Sequence, residues 1–444
     1  LVTNAALTST GTLGGGLVNN AGATAQVAGA LAGDVSNAGS LTLTGATTGI
    51  GAVSQTPSGV FDLAGNSTAI GSLAGAGSVL LGAATLTTGS NNASTSFAGV
   101  IAGSGGLTKA GSGTLTLTGA NTFTGTTTVS AGALEVSAAG SLAGEVANRA
   151  ILTNAGSIAG LVTNAALTST GTLGGGFRNL TGAAAAISGV LNGDLMNSGV
   201  VTLTGVTSGI GAVDQGGRGV FDLGGNAAAI GSLAGAGSVL LGGATLTTGS
   251  NNASTSFAGV IAGAGSLTKT GSGTLTLTGA NTYTGVTTVS AGTLAIARTI
   301  LENSGTLAGS VAVNSGGNLA NAGSIAGALT NNGTASNSGS IAGGADNSGT
   351  LTNAGVIAGL VTNTGSLTNS GMLEGGLANA AGANAANEGS IAGGVLNAGT
   401  LDNSGSLAGA LENSGALANA GVIAGLVTNA GTLASTGTIN GDLV

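Results

Sequence analysis

The chain contains a run of near-identical sixteen-residue copies that begins NAGSIAGALTNNGTAS (321–336), NSGSIAGGADNSGTLT (337–352) and NAGVIAGLVTNTGSLT (353–368). Within a copy, Asn, Gly and aliphatic residues occupy the odd places, while Ala, Ser and Thr occupy most even places. Because sixteen is even, this alternation keeps its phase from copy to copy, and period-2 alternation is typical of β-strands. The sequence therefore predicts an all-β fold. We expect a single-stranded parallel β-helix (β-solenoid) in which one copy forms one rung.

The recurring Asn, and the Gly two places after it, indicate how the rungs stack. An Asn that faces the interior needs partners, since a buried amide without hydrogen bonds costs a few kcal/mol. In a stack of rungs, each Asn amide can donate to the Asn of the neighbouring rung and form a ladder. The Gly suits a tight corner where φ is positive and no side chain fits. We therefore interpret Asn-x-Gly as a corner with an Asn ladder, not as a ligand site.

Composition excludes several classes of function. The chain has 444 residues, of which 91 are Gly and one is Pro, and it contains no Cys, His or Trp. Six Lys or Arg oppose fourteen Asp or Glu, a net charge of −8, so nucleic acid is not an expected partner. No apolar run reaches the roughly 20 residues of a membrane-spanning helix, and no signal segment opens the chain. Since both ends fall within repeats that show no cap, we expect a piece of a longer protein.

The chain divides into four segments by internal repetition. Residues 1–136 and 161–296 are two copies of one long unit at a constant offset of 160. Residues 137–160 connect the two copies, and residues 297–444 hold the regular array of rungs of about sixteen residues. No charged or Pro-rich linker interrupts them, so we predict one continuous solenoid.

Each long unit also contains a less regular insert, residues 45–70 in the first copy and 205–230 in the second. The first insert holds the only proline, Pro57. This irregularity predicts a bulge or a loop that leaves the helix, with its charges in solvent. The charged residues are Asp62 in the first copy and Asp214, Arg218 and Asp222 in the second. The sequence leaves open whether the inserts form loops or distorted rungs.

Each long unit closes with a Thr-rich motif, LTKAGSGTLTLTGANTFTGTTTVSAGALEV (107–136), which recurs with small changes at 267–296. Residues of one parity are predicted to point inward, and threonines of the other parity are predicted to face water. The inward set is Leu115, Leu117, Phe123 and Val129, and the outward set is Thr116, Thr118, Thr122 and Thr124. After Gly132 the phase moves by one residue, so that Leu134 and Val136 become inward, as a glycine bulge would cause.

This motif closely resembles the autotransporter-associated β-strand repeat of the passenger regions of Gram-negative autotransporters. The stretch VFDLAGNSTAIGSLAGAGSVLLG (60–82) is also similar to passenger segments, and the sixteen-residue array more loosely resembles the repeats of large surface adhesins. The resemblance implies a right-handed parallel β-helix that is secreted through an outer-membrane barrel and displayed on the bacterial cell surface. It also implies that the repeat aids secretion and folding of the passenger. Membrane contact would then occur only through a barrel domain outside this sequence.

The residue inventory argues against an enzyme. Without His or Cys, the chain cannot form a Ser-His-Asp triad, a Cys-His pair or a His-based metal site. Lys109 and Lys269 could assist a serine nucleophile, but both occur in the same LTKxGSG context, which favours a structural role at a rung edge. Asp214 and Asp222 could form a glycosidase carboxylate pair, yet Ser54 replaces the first of them in the other copy. We predict no catalytic residues and no cofactor.

Two further kinds of site have weak sequence support. Calcium-binding solenoids place an Asp in each short Gly-rich turn, whereas the corner residue here is Asn, so no metal site is predicted. Threonine rows at 114–128 and 274–288 are the type of surface that binds ice or glycans. These rows are confined to two separate stretches, and Thr is also favoured on exposed strands. An ice- or glycan-binding surface is a further alternative.

The expected function is adhesion or self-association by a secreted or surface-displayed passenger segment, as in cell aggregation and biofilm formation. The partners would be like molecules on neighbouring cells, or components of surfaces and matrix. The alternative is a passive stalk that presents another domain away from the membrane. A globular domain before Leu1 would favour the stalk, and lateral pairing of the isolated solenoid would favour adhesion.

Overall fold

The structure is a computed structural model that describes residues 1–279, 281–283, 285, 287–296, 300–303, 306–307 and 309–444. Within these ranges the chain is all β and contains no helix. Parallel strands coil into a β-solenoid of about 24 turns with about 18 residues per turn, which confirms the predicted fold class. The chain forms two compact units, Leu1–Asn226 and Ala227–Val444.

The strands of the first unit are short, and each pairs in parallel with strands of the neighbouring turns. They are Val2–Ser9, Leu13–Gly14, Leu17–Val27, Ala30–Asn37, Ser40–Leu43, Thr48–Gln55, Val60–Asp62, Thr68–Gly75, Ser78–Gly82, Leu86–Thr88, Thr95–Phe97, Val100–Gly103, Leu107–Lys109, Thr114–Leu117, Thr127–Val129, Ala133–Val136, Ser141–Leu142, Val146–Asn148, Ile151–Asn154, Ser157–Ile158, Val162–Ser169, Thr172–Leu173, Phe177–Ile187, Val190–Asn197, Val200–Leu203, Ser208–Gln215 and Val220–Asp222.

The strands of the second unit are also short and parallel. They are Ala228–Gly235, Ser238–Gly242, Thr245–Thr248, Thr255–Phe257, Val260–Gly263, Ser266–Lys269, Thr274–Leu277, Thr287–Val289, Thr293–Ile296, Ile300–Asn303, Thr306–Leu307, Ser310–Val313, Asn318–Asn321, Ser324–Ile325, Leu329–Asn331, Thr334–Asn337, Ser340–Ile341, Ala345–Asn347, Thr350–Asn353, Val356–Ile357, Val361–Asn363, Ser366–Asn369, Met372–Leu373, Leu377–Asn379, Asn384–Asn387, Ser390–Ile391, Val395–Asn397, Thr400–Asn403, Ser406–Leu407, Leu411–Asn413, Ala416–Asn419, Val422–Ile423, Val427–Asn429, Thr432–Ser435 and Thr438–Ile439.

The array shows the repeating architecture most clearly, because each of its turns contains three strands. One turn consists of Thr350–Asn353, Val356–Ile357 and Val361–Asn363. Each strand directs an aliphatic side chain inward, and the resulting core residues are fully buried. In this turn they are Leu351, Ile357 and Val361.

The register of the array follows the sequence period. Thr334 pairs with Thr350, and Thr350 pairs with Ser366, so successive rungs are sixteen residues apart. The single eighteen-residue copy keeps the same strands, and Ser366 pairs with Asn384 across it. Its two extra residues widen the turn around Gly382, where φ is +82°. The predicted sixteen-residue rungs are therefore confirmed.

The predicted Asn ladder runs through the interior of the array. Asn337 Nδ2 donates to Asn353 Oδ1 at 2.7 Å, and Asn353 Nδ2 donates to Asn369 Oδ1 at 2.7 Å. A second ladder runs along another corner, where Asn347 Nδ2 donates to Asn363 Oδ1 at 2.7 Å. The first unit has ladders of the same kind, so most buried amide groups there are satisfied from rung to rung. Among the described residues, Asn4 Oδ1, Asn154 Oδ1 and Gln215 Nε2 are buried without a partner.

Of the two reasons predicted for the Gly of Asn-x-Gly, only the lack of room for a side chain is confirmed. Gly355 is not among the residues with positive φ, so the expectation of a positive φ at this corner is wrong. A Cβ at Gly355 would instead overlap the carbonyl oxygen of Gly339 in the previous rung. The corners stack so closely that the neighbouring backbone occupies the space of a side chain.

The inserts 45–70 and 205–230 form rungs and do not leave the solenoid as loops. In the first copy, Val35 pairs with Val53 and Ser40 pairs with Val60. The register shifts twice near Gly33, so the bulge alternative is correct and the loop alternative is wrong. Pro57 lies in a short turn between two of these strands.

The Thr-rich motif has the predicted inward set, with Leu115, Leu117, Phe123 and Val129 at most 1% exposed. Its phase shift occurs at a corner and not at a bulge. Gly132, with φ of +65°, lies in the turn between Thr127–Val129 and Ala133–Val136, and both strands keep a regular register with their neighbours. The link from the second long unit into the array, around residues 297–308, lies partly outside the described residues.

Candidate functional site

The most unusual buried group occurs at the start of the Thr-rich motif, where a lysine points into the solenoid. Lys109 ends the strand Leu107–Lys109, has the parity of the inward leucine that begins it, and is only 1% exposed. Its Nζ donates to the backbone carbonyls of Ala110 (2.6 Å), Gly111 (2.9 Å) and Ala131 (3.2 Å). The ammonium group thus connects a corner of its own rung to a corner of the next rung.

The second copy of the motif repeats this arrangement. Lys269 is also 1% exposed, and its Nζ donates to the carbonyls of Thr270, Gly271 (2.9 Å) and Ala291 (3.5 Å). Burial lowers the pKa of both lysine ammonium groups. Since their donors are directed at backbone carbonyls inside the solenoid, neither amine is positioned to activate a nucleophile at the surface.

Each lysine takes the place that Asn takes elsewhere in the solenoid. Lys109 pairs in register with Val129, and Val129 pairs with Asn148, which donates to Asn164 Oδ1 at 2.9 Å in an Asn ladder. Like the ladder residues, Lys109 donates to the carbonyl two residues on and to a carbonyl of the next rung. The sequence placed it at a rung edge, whereas it lies inside the corner. Its parity with Leu107 was the available signal.

The outward face of the motif carries a short stack of threonines. Thr87, Thr108 and Thr128 pair in register on three consecutive rungs and are partly exposed. The adjacent row is less uniform, because Thr116 pairs with Glu135 and its hydroxyl donates to Glu135 Oε2 at 3.1 Å. In the second copy, Thr284 lies outside the described residues.

Residues 107–136 and 267–296, the segments that hold these lysines and threonines, match the family model described as the passenger-associated-transport-repeat. We call these two matching segments the transport repeats. The resemblance to autotransporter passenger regions is thereby confirmed, and two such repeats on a parallel β-solenoid fit an autotransporter passenger. The repeat family indicates a secreted or cell-surface protein. No curated protein and no solved structure matches the chain significantly.

The candidate carboxylate pair lies outside the transport repeats and is divided between two strands. Asp214 points outward from Ser208–Gln215, and Asp222 points outward from Val220–Asp222, beyond the turn that joins the two strands. Asp222 Oδ1 accepts a hydrogen bond from the backbone N–H of Gly224 at 2.9 Å. Asp62 accepts the corresponding bond from Ala64 at 2.8 Å, so this carboxylate stabilises the same turn in both copies.

Beyond the transport repeats, the outer faces of the array form shallow grooves between rows of small residues. One groove of about 400 Å³ follows five consecutive rungs and is lined by the outward row Thr362, Ala378, Leu396, Glu412 and Thr428. Leu396 is its largest apolar side chain and is 55% exposed. A second groove of about 460 Å³ lies on another face and contains Glu388 and Asp402.

Two further features are absent from the described residues. Among them, no helix is long and apolar enough to be a membrane span. Nor do three or more acidic side chains cluster, in the part of the chain that the structure describes, as they would around a metal ion. The sites that distinguish this chain are therefore the interior corners of the transport repeats and the outward rows.

Proposed function

We propose that the chain is a surface-displayed or secreted passenger segment that acts in adhesion or self-association, and that it is not an enzyme. The partners would be like molecules on neighbouring cells, or components of surfaces and matrix. Outer-membrane anchoring belongs to this proposal, since the resemblance to autotransporters implies it. Nucleic acid is not proposed as a partner, because the chain has a net charge of −8.

A single outward row of the array carries the proposal. Its eight members pair in register from rung to rung, all are exposed, and seven have a hydroxyl or amide side chain. They are Asn318, Thr334, Thr350, Ser366, Asn384, Thr400, Ala416 and Thr432. At about 4.8 Å per rung, such a row offers the same weak polar contact many times, which suits multivalent attachment.

Bead clustering tests this proposal. Residues 1–444 would be attached through a terminal tag, because the only two lysines of the chain are buried and unsuited to amine coupling. The coated beads would be mixed with matching beads, with bare beads, and with surfaces carrying matrix proteins or glycans. We expect clustering of matching beads, or capture by one coated surface.

The outcomes separate the alternatives. Clustering of matching beads alone supports self-association, and capture by one surface supports a heterophilic adhesin. A folded chain, verified by circular dichroism, that binds neither beads nor surfaces would contradict the proposal, and the passive stalk would replace it.

A further inference from the structure

The two long units have nearly the same strands at an offset of 160 residues, yet their outer surfaces differ in one region. Residues 71–103 and 231–263 differ at a single position, Ala83 or Gly243. Residues 17–58 and 177–218 differ at many positions, and the interior changes among them are conservative, such as Leu17 to Phe177. Several outward changes are not conservative, and these introduce charge and large apolar side chains. At matched positions, Val18, Asn20, Ser36, Ser54 and Thr56 are replaced by Arg178, Leu180, Met196, Asp214 and Gly216.

These new side chains belong to the second long unit and lie together on one face of the compact unit Leu1–Asn226. Arg178 pairs in register with Met196, and Met196 pairs with Asp214, so they form an outward row on three consecutive strands. All three are exposed, Met196 by 41%. With Leu180 and Gly216 they line a groove of about 320 Å³. We call these five residues the Arg–Met–Asp patch.

The charges of the patch have no partner within their own chain among the described residues. Arg178 and Asp214 lie two rungs apart, with their Cα atoms roughly 10 Å apart at the usual strand spacing, and no ion pair joins their side chains in the structure. Asp194 and Asp222 each accept a backbone N–H, whereas Asp214 accepts none in the described part of the chain. Along the row, the patch therefore presents one positive end, an apolar centre and one negative end, and the exposed Arg218 lies in the turn that follows Asp214.

The corner beside this row differs in shape between the two ends of the patch. At the positive end, residues 180–183 take the place of a single residue in the preceding rung, so that Leu180 projects and is 40% exposed. At the negative end, the turn that follows Asp214 begins with Gly216 and Gly217, which have no side chains. A protrusion at one end is thus matched by a depression at the other.

We propose that this patch pairs with the same patch of a second copy, with the two solenoids antiparallel. A two-fold axis that runs parallel to the strands and passes between the two Met196 side chains places Arg178 of each copy opposite Asp214 of the other. The same operation places Leu180 over Gly216, and it brings the two Met196 side chains together. Such self-complementarity is what a two-fold interface requires, and Arg and Met are enriched in interfaces.

This inference rests on the proposed function and identifies the surface that performs self-association. A patch of three rungs buries far less than the roughly 1,200 Å² of a stable interface. The pairing is therefore weak in solution and becomes effective when many copies are displayed on opposing surfaces. It also weakens as salt is added, since the charges that meet are solvent-exposed.

Charge reversal tests the pairing in the bead assay. Arg178→Glu places Glu opposite Asp214, and Asp214→Arg places Arg opposite Arg178, so beads carrying either variant lose clustering with themselves. Mixing R178E beads with D214R beads makes both contacts attractive again, and so does combining the two changes in one chain. We expect clustering to be lost in each single variant and restored in the mixture and in the double variant.

Matched controls use the first copy, where Val18→Glu and Ser54→Arg introduce the same charged residues at the equivalent positions. Both control variants should cluster like the unaltered chain. If the unaltered chain clusters and R178E clusters equally well, this surface is wrong and self-association proceeds through another one. If the single variants lose clustering but their mixture does not regain it, the antiparallel pairing is wrong. If the unaltered chain never clusters, self-association and this inference both fail.

Discussion

The transport repeats and the sixteen-residue array solve the same problem in different ways. Both must satisfy backbone carbonyls at closely stacked corners. The array does so with Asn at every turn, as in the donation of Asn353 Nδ2 to the Gly355 carbonyl at 3.2 Å. The first transport repeat does so with Lys109, which reaches carbonyls of two rungs from one amine, and with Asn121, whose Nδ2 donates to the carbonyls of Gly119 and Ser141. At one corner, a long flexible cation thus takes the place of the Asn amide.

The core of the first transport repeat is wider than the core of the array and holds larger side chains. In the first transport repeat the turns take about twenty residues, as in the pairing of Leu107 with Thr127 and of Phe97 with Leu117. Phe97 and Phe123 fill this wider section. No aromatic residue follows Tyr283 in the sequence, and the narrower array packs only aliphatic side chains at its centre. The corners nevertheless stack equally closely in both regions, since a Cβ at Gly119 of the first transport repeat would also overlap a carbonyl oxygen of the previous rung.

The largest expected effect is at an array corner. Gly355→Ala introduces a Cβ that overlaps the carbonyl oxygen of Gly339, so the rungs must separate. We expect the free energy of unfolding to fall by about 3 kcal/mol or more, measured by urea denaturation. The matched control is Gly243→Ala in the second long unit, where a Cβ would meet no atom within 4 Å and where the other copy has Ala83. The control should stay within about 0.5 kcal/mol. Equal losses would mean that the close backbone contact at Gly355 does not limit the side chain there.

The next largest effect concerns the ladder. Asn353→Ala removes the acceptor of Asn337 Nδ2 and the donor to Asn369 Oδ1, which leaves two buried amides incomplete. We expect a loss of about 2–3 kcal/mol, seen as faster hydrogen exchange in the flanking rungs. Asn384→Ala, on the exposed row, is the control and should have little effect. Unchanged exchange in N353A would mean that the ladder contributes nothing to stability.

The sequence predicted the array more completely than the transport repeats, for a physical reason. An even period with fixed parity specifies which side chains face inward, and inward Asn at every rung leaves few partners other than its neighbours. Lys109 has the same parity signal. A charged side chain is rarely buried without a counter-ion, so parity alone did not predict that Lys109 points into the solenoid. The Arg–Met–Asp patch could not be found at all, because it depends on the register between rungs of irregular length.

A third prediction uses the fact that Lys109 and Lys269 are the only lysines in the chain. Burial lowers their pKa in the folded state, while unfolded lysine keeps its ordinary value of 10.5. Between the lowered pKa and 10.5, the unfolded chain binds more protons, so stability should rise with pH in that window. The measurement is the urea midpoint from pH 7 upward. The double variant Lys109→Met, Lys269→Met should lack this rise. Parallel pH profiles for the two proteins would show that the buried amines keep an ordinary pKa.

The smallest and most specific prediction compares the two transport repeats, which differ here by one oxygen atom. In the second, the Tyr283 hydroxyl hydrogen-bonds Thr287 Oγ1 at 2.7 Å. In the first, Phe123 occupies that position, and Thr127 Oγ1 is buried without a partner among the described residues. Phe123→Tyr should therefore stabilise the chain by about 1 kcal/mol, and Tyr283→Phe should destabilise it by a similar amount. Thr127→Val separates the causes, because it removes the unpaired hydroxyl and should cancel the gain from F123Y. Destabilisation by F123Y would mean that the fully buried ring has no room for the hydroxyl, and that the first repeat is packed more tightly than the second.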